Sequence, residues 1–126
     1  MAGLTHEEFM NGKICYIEIP ASSVTLSAKF YEAVFGWTIR RRDDGQHAFS
    51  DGEGGVSGTW VVGRTPDPNP GMITYIMVDD IDATMTKIQA SGGKLATPRT
   101  PLPRGDAWAT FIDPADNLLG LYQQPR

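Results

Sequence analysis

Ile73-Thr74-Tyr75-Ile76-Met77-Val78, near the middle of the chain, repeats what Ile14-Cys15-Tyr16-Ile17-Glu18-Ile19 spells near its start. Each apolar run leads into a helical pattern, the first ending at Phe35-Gly36-Trp37 and the second at Gly92-Gly93. Short strand-like runs separated by Gly, Asp or Pro follow in both halves. A strand-helix-strands unit of roughly 50–60 residues used twice is too long for a solenoid repeat and describes a duplicated half-domain. Two such halves, each with a twisted sheet, can curve around a shared hollow, and a hollow between halves is where a small molecule binds.

Working outward from the first run, Cys15, Ile17 and Ile19 alternate onto one strand face and Ile14, Tyr16 and Glu18 onto the other. Ser22 or Ser23 caps the next helix, whose apolar stripe is Val24, Ala28, Tyr31 and Phe35, and Gly36 ends it. Strands are expected at Trp37 to Arg41, Gln46 to Ser50 and Val56 to Val62, turned by Asp43-Asp44-Gly45 and by glycines 52, 54 and 55. The proline-rich stretch Arg64 to Gly71 is neither helix nor central strand and reads as a linker. In the second half, Asp79 or Asp80 caps a helix in which Ile81, Met85 and Ile88 share a face. Lys94 to Thr97 is a short strand, Pro98 to Gly105 a loop carrying Arg99 and Arg104, and Asp106–Ile112 and Leu118–Gln123 are the closing strands.

The 126 residues form one domain with an ordinary make-up of 40% hydrophobic and 21% charged residues. Eleven basic against fifteen acidic residues give a net charge of −4, which disfavours nucleic acid and anionic membranes as partners. No apolar run approaches the roughly 18 residues of a membrane span. The polar start of the chain does not read as a secretory signal, and the single cysteine suits a reducing compartment, so the cytoplasm is the expected location.

Tyr16-Ile17-Glu18-Ile19-Pro20, Phe30-Tyr31-Glu32-Ala33-Val34-Phe35-Gly36-Trp37, Val78-Asp79-Asp80-Ile81-Asp82-Ala83 and Asp113-Pro114 through Asn117 to Gly120-Leu121-Tyr122-Gln123 carry a family likeness. Together they resemble the vicinal oxygen chelate superfamily of glyoxalase I, bleomycin-resistance proteins and extradiol dioxygenases. The likeness spans about residues 13–124 and implies an α+β fold. Two βαβββ modules, 13–63 and 72–124, would form a curved mixed sheet around a central cleft. Linker 64–71 joins them, 1–12 is an N-terminal tail, and a second copy completes the cleft as a homodimer. In the family's metal enzymes four strands supply His, Gln or Glu ligands to one divalent ion. Carried over, those places fall on Tyr16, near Gly58, at or next to Ile73, and on Gly120. Two glycines and an isoleucine offer no donor, so no metal site and no cofactor are expected. His6 and His47 lack ligand spacing and read as solvated histidines, and Cys15 reads as a packing residue under the first helix.

A cleft lined by Tyr16 also receives Ile14 and Glu18 by alternation. The same logic brings Trp60 with Val56 and Gly58, Tyr75 and Met77 with Ile73, and Tyr122 with Leu118 and Gly120. Trp108 joins them, on a strand whose face the pattern leaves open. Tyr16, Trp60, Tyr75, Met77, Trp108 and Tyr122 are therefore the candidate ligand contacts, and the expected function is metal-free binding of a small aromatic or apolar molecule. Two alternatives stand beside it: a lyase, isomerase or dioxygenase of the same superfamily with a non-standard site, and a structural or regulatory dimer module. Glu18 is the candidate catalytic group. It is either a general base poised by burial among apolar side chains, or a rim carboxylate paired with Arg99, Arg104 or an arginine of a partner.

Overall fold

Alternation in β1 (Tyr16–Ala21) sends Ile17 and Ile19 to one face, and that face receives the first helix. The computed structural model describes residues 11–44, 46–52 and 55–126. Ser23 accepts the Leu26 N–H at 3.2 Å and so starts α1 (Val24–Phe35), which Gly36 closes at φ 71°. The helix is the crossover that lets β1 lie parallel to β4 (Ser57–Val62). Between them in sequence, β2 (Thr38–Arg41) and β3 (His47–Ser50) extend the sheet antiparallel, in the order β1-β4-β3-β2.

The second module repeats this plan. β5 (Tyr75–Met77) lies parallel to β8 (Leu118–Gln123), with β7 (Ala107–Ile112) and β6 (Lys94–Pro101) beyond it, in the order β5-β8-β7-β6. Its helix α2 (Ile81–Ala90) starts at Asp80, which accepts the Ala83 N–H at 3.0 Å. That bond, with Arg126 beside it, holds the Asp80 carboxyl below the usual range. Residues 63–74 form neither helix nor strand. The chain is thus an α+β fold of two four-stranded mixed sheets, each backed by one helix.

One expectation needs correcting here. Pro98 to Pro101 belong to β6 and not to a loop. β6 is the outer strand of its sheet, the place where prolines are tolerated, and two register shifts against β7 absorb the irregularity.

A single apolar core runs through both modules. Its centre is a column of rings: Tyr31 on Trp37 at 4.7 Å, Trp37 on Phe49 at 4.6 Å, and Phe49 against Trp60 at 4.9 Å. Phe30 of α1 crosses to Phe111 of β7, so the first helix also packs on the second sheet. A buried polar network sits beside this contact. The Tyr31 hydroxyl donates to Asp113 Oδ2 at 2.8 Å, while Asp113 Oδ1 accepts the N–H groups of Ala115 and Asn117. The Asn117 amide donates to Asp113 Oδ2 and, at 2.7 Å, to the Pro20 carbonyl at the end of β1.

Burial, then the charge and hydrogen bond of Asp113, push the Tyr31 pKa well above its ordinary value. The folded chain therefore holds this proton more tightly than the unfolded chain. The stabilisation is complete below about pH 10 and is lost as pH rises through the folded value. Tyr31→Phe is expected to cost about 1.5–3 kcal/mol at neutral pH, since a buried carboxylate oxygen loses a donor. The variant should also show a shallower loss of Tm above about pH 10 than the wild type. Urea and thermal denaturation across pH check both, and a variant as stable as the parent would remove the network from the account.

Candidate ligand-binding site

Strand pairing sorts every side chain onto the helix-covered face or the open face of its sheet. On the open face of the second sheet, Thr97, Thr110, Gly120 and Tyr75 form one cross-strand row. Thr100, Trp108, Tyr122 and Met77 form the next. Four of the six candidate contacts lie in these two rows, and the pairing of Trp108 with Tyr122 places it on their side. Tyr75, Trp108 and Tyr122, with Leu102 from the β6–β7 turn, enclose a depression of about 320 Å³. Leu102 escaped the sequence reading because it reaches the sheet only once the turn closes, its N–H donating to the Asp106 carbonyl at 2.8 Å.

The first sheet differs. Its open face carries Thr38, Ser50, Ser57 and Tyr16 in one row and Arg40, Ala48, Thr59 and Glu18 in the next. Trp60 is not on that face. It pairs beside Ile19, under α1, and is 1% exposed within the ring column. Gly58 also points toward the helix, where a Cβ would lie 2.3 Å from the Phe49 ring. The expected alternation was out by one residue, because Gly58 is a packing requirement of Phe49 and not a vacated cleft position. Apart from Tyr16 and Ala48, the side chains of these two rows are small hydroxyls and charges.

Tyr16 is exposed, and its hydroxyl accepts a hydrogen bond from the Arg42 guanidinium at 3.1 Å. Glu18 is 42% exposed and pairs with Arg64 of the linker at 2.7 Å. The burial that would make it a general base is not realised. Its partner is neither Arg99, which lies 3.4 Å from Asp82, nor Arg104. Glu18, Tyr75 and Met77 do line a common groove of about 1260 Å³ between the modules, together with Phe35, Thr65 and Ile73. Tyr75 is a wall of both the groove and the depression.

Asp106 is the second feature that the sequence reading missed. Tyr122 donates to Asp106 Oδ2 at 2.7 Å. That bond, partial desolvation and the carboxylate charge raise the Tyr122 pKa, against the opposing charge of Arg104. Nothing in the spacing of residues 106 and 122 signals this pair, which exists only because β7 and β8 are antiparallel neighbours.

The four carried-over metal positions do not fit a divalent ion. Tyr16 is engaged by Arg42, Gly58 faces the core, and Ile73 lies ahead of β5. Over Gly120 lies the ring of Tyr75, so close that a Cβ at 120 would be 2.3 Å from two of its carbons. Among the described residues no three His, Cys, Asp or Glu side chains converge. His47 is half-buried in β3 with Nδ1 unpaired, and not solvated as expected. Among the described residues it belongs to no group of three donors that could share an ion. Cys15 is exposed and not packed under α1, because it precedes the ladder that begins at Tyr16. His6 lies outside the described residues. Among the described residues no helix is long and apolar enough to cross a membrane.

The fold and this site can be set against known proteins. The chain is 28% identical over 132 residues to "Putative glyoxylase CFP32" of Mycobacterium tuberculosis, covering 94% of this chain. It spans about half the length of that relative, 48%. A "Glyoxylase-like domain-containing protein" of Didymella fabae is 34% identical over 92 residues, 68% of this chain and 72% of that protein. In fold, the chain is similar to the fosfomycin resistance protein FosX of Listeria monocytogenes, with TM-score 0.74 and 15% identity over 91% of this chain and 95% of the other. Residues 13–121 match the profile of the Glyoxalase/Bleomycin resistance protein/Dioxygenase superfamily, and the chain belongs to that family.

Proposed function

We propose that this chain is a metal-free binding protein for a small, flat aromatic or apolar molecule, held by the open face of the second sheet. The observation that carries the reading is the depression walled by Tyr75, Trp108, Tyr122 and Leu102. Three aromatic side chains and one aliphatic one suit stacking and apolar contact with a planar ligand. Among the described residues none of these three rings stacks on another, unlike the rings of the core. Glycine at 120 and isoleucine at 73 support the metal-free part of the reading, since neither carries a donor for an ion.

A second copy of the chain completes the site in this proposal. The outer edges of β1 and β5 pair with no strand among the described residues. Exposed Ile14, Met72 and Met77 lie along or beside them. Unpaired edges flanked by apolar side chains favour association. Sedimentation at micromolar concentration is expected to give twice the chain mass, and a strictly monomeric species would exclude the second copy.

Binding is tested by titrating 2-naphthol against tryptophan fluorescence and Tm. A saturable response is expected, with about 2.7 kcal/mol of stabilisation when ligand reaches a hundred times Kd. Trp108→Ala should weaken binding about tenfold through lost stacking and burial. The absence of any saturable response would refute the reading. Glu18→Gln is expected to leave affinity unchanged between pH 5 and pH 9, because the carboxylate serves the Arg64 contact. A pH dependence present in the wild type and absent from the variant would restore Glu18 as a base.

A further inference from the structure

Thr110 is 4% exposed, and its Oγ1 is buried with no hydrogen-bond partner. An unpaired hydroxyl inside a protein is costly and calls for an explanation. It sits on the open face, in the row Thr97, Thr110, Gly120, Tyr75, directly inward of the Trp108–Tyr122 pair. Its neighbour at 120 has no side chain. The ring of Tyr75 lies over Gly120 and so closes the row from the β5 side.

Tyr75 is weakly held in that position. It is 47% exposed, on a three-residue strand at the edge of its sheet. Among the described residues no hydrogen bond anchors its hydroxyl. Rotation about its χ1 swings an exposed ring toward solvent without disturbing the core, to which Tyr75 does not belong. The rotation would uncover the backbone at Gly120, beside which Thr110 stands in the same row, one step from the depression.

We infer that Tyr75 is a displaceable cover over a hydrogen-bonding subsite at Thr110 and Gly120. The ligand it yields to is an aromatic ring bearing a hydroxyl or carbonyl group, in preference to a plain hydrocarbon. The ligand ring takes the place of the Tyr75 ring over Gly120, and its polar group pairs with Thr110 Oγ1. This rests on the depression being the binding site, as proposed above. A hydroxyl both donates and accepts, so either substituent satisfies it. Glycine at 120 admits the close approach that any side chain would block.

The test compares 2-naphthol with its near-isostere 2-methylnaphthalene by tryptophan fluorescence. The wild type is expected to bind 2-naphthol at least about tenfold more tightly, the worth of one buried hydrogen bond. Thr110→Val keeps the shape and removes the hydroxyl. It should abolish the preference, leave 2-methylnaphthalene affinity unchanged, and give an unliganded Tm no lower than the parent. Thr110→Ser should retain the preference, and so should Tyr75→Ala, which removes the cover. Equal affinity for the two compounds in the wild type overturns the inference, as does an undiminished preference in Thr110→Val. If neither compound binds, the depression is not the site, and the proposed function fails with the inference.

Discussion

The contact on which this molecule depends is the buried link between Tyr31, Asp113, Asn117 and the Pro20 carbonyl. It joins the first helix, the end of the first strand and the last turn of the second module at one point. A carboxylate there is out of water, and it is tolerable only because four hydrogen bonds reach its two oxygens. The apolar core alone would permit several ways of sliding one sheet past the other. The directional demands of Asp113 and Asn117 single out one. The groove and the open faces inherit their positions from that choice.

Given that junction, the two modules present unlike surfaces on a shared plan. Strand pairing puts serines, threonines, an arginine and a glutamate outward on the first sheet, and rings, Met77 and threonines outward on the second. Phe49 and Trp60 of the first sheet went inward instead, into a column with Tyr31 of α1 and Trp37, while Tyr16 stayed outward. Both sheets give their helix-covered faces to the one core, and they differ in what they turn outward. Likeness to solved structures at 15% identity carries the fold across and leaves this difference as a property of the chain's own residues.

How far the sequence could be read follows from which signals are local. Helix caps at Ser23 and Asp80, the glycine stop at Gly36 and the duplicated strand-helix order depend on neighbours a few residues away, and the pattern shows them. The open face of the second sheet was legible for the same reason, because Tyr75, Met77, Gly120 and Tyr122 alternate without interruption. Trp60 was misplaced because alternation gives two faces but not which is covered, and glycine at 58 could mean either an emptied cleft or a packed ring. The Ile17 carbonyl and the Phe49 ring, one on each neighbouring strand, decide it. The Arg64 contact of Glu18 and the Asp106 contact of Tyr122 come from chain segments whose separation in sequence says nothing of their approach in space.

The junction at Asp113 has a consequence for the ancestry of the repeat. A gene duplication begins with two interchangeable copies, each able to pair with either. Here the tyrosine belongs to the first copy's helix and the acid to the second copy's last turn, so the halves have become complementary and no longer equivalent. Three of the four hydrogen bonds to the Asp113 carboxylate come from its own turn, and the first half's helix adds the one that reaches across. The two halves are thus told apart by a single phenol, which only the first supplies.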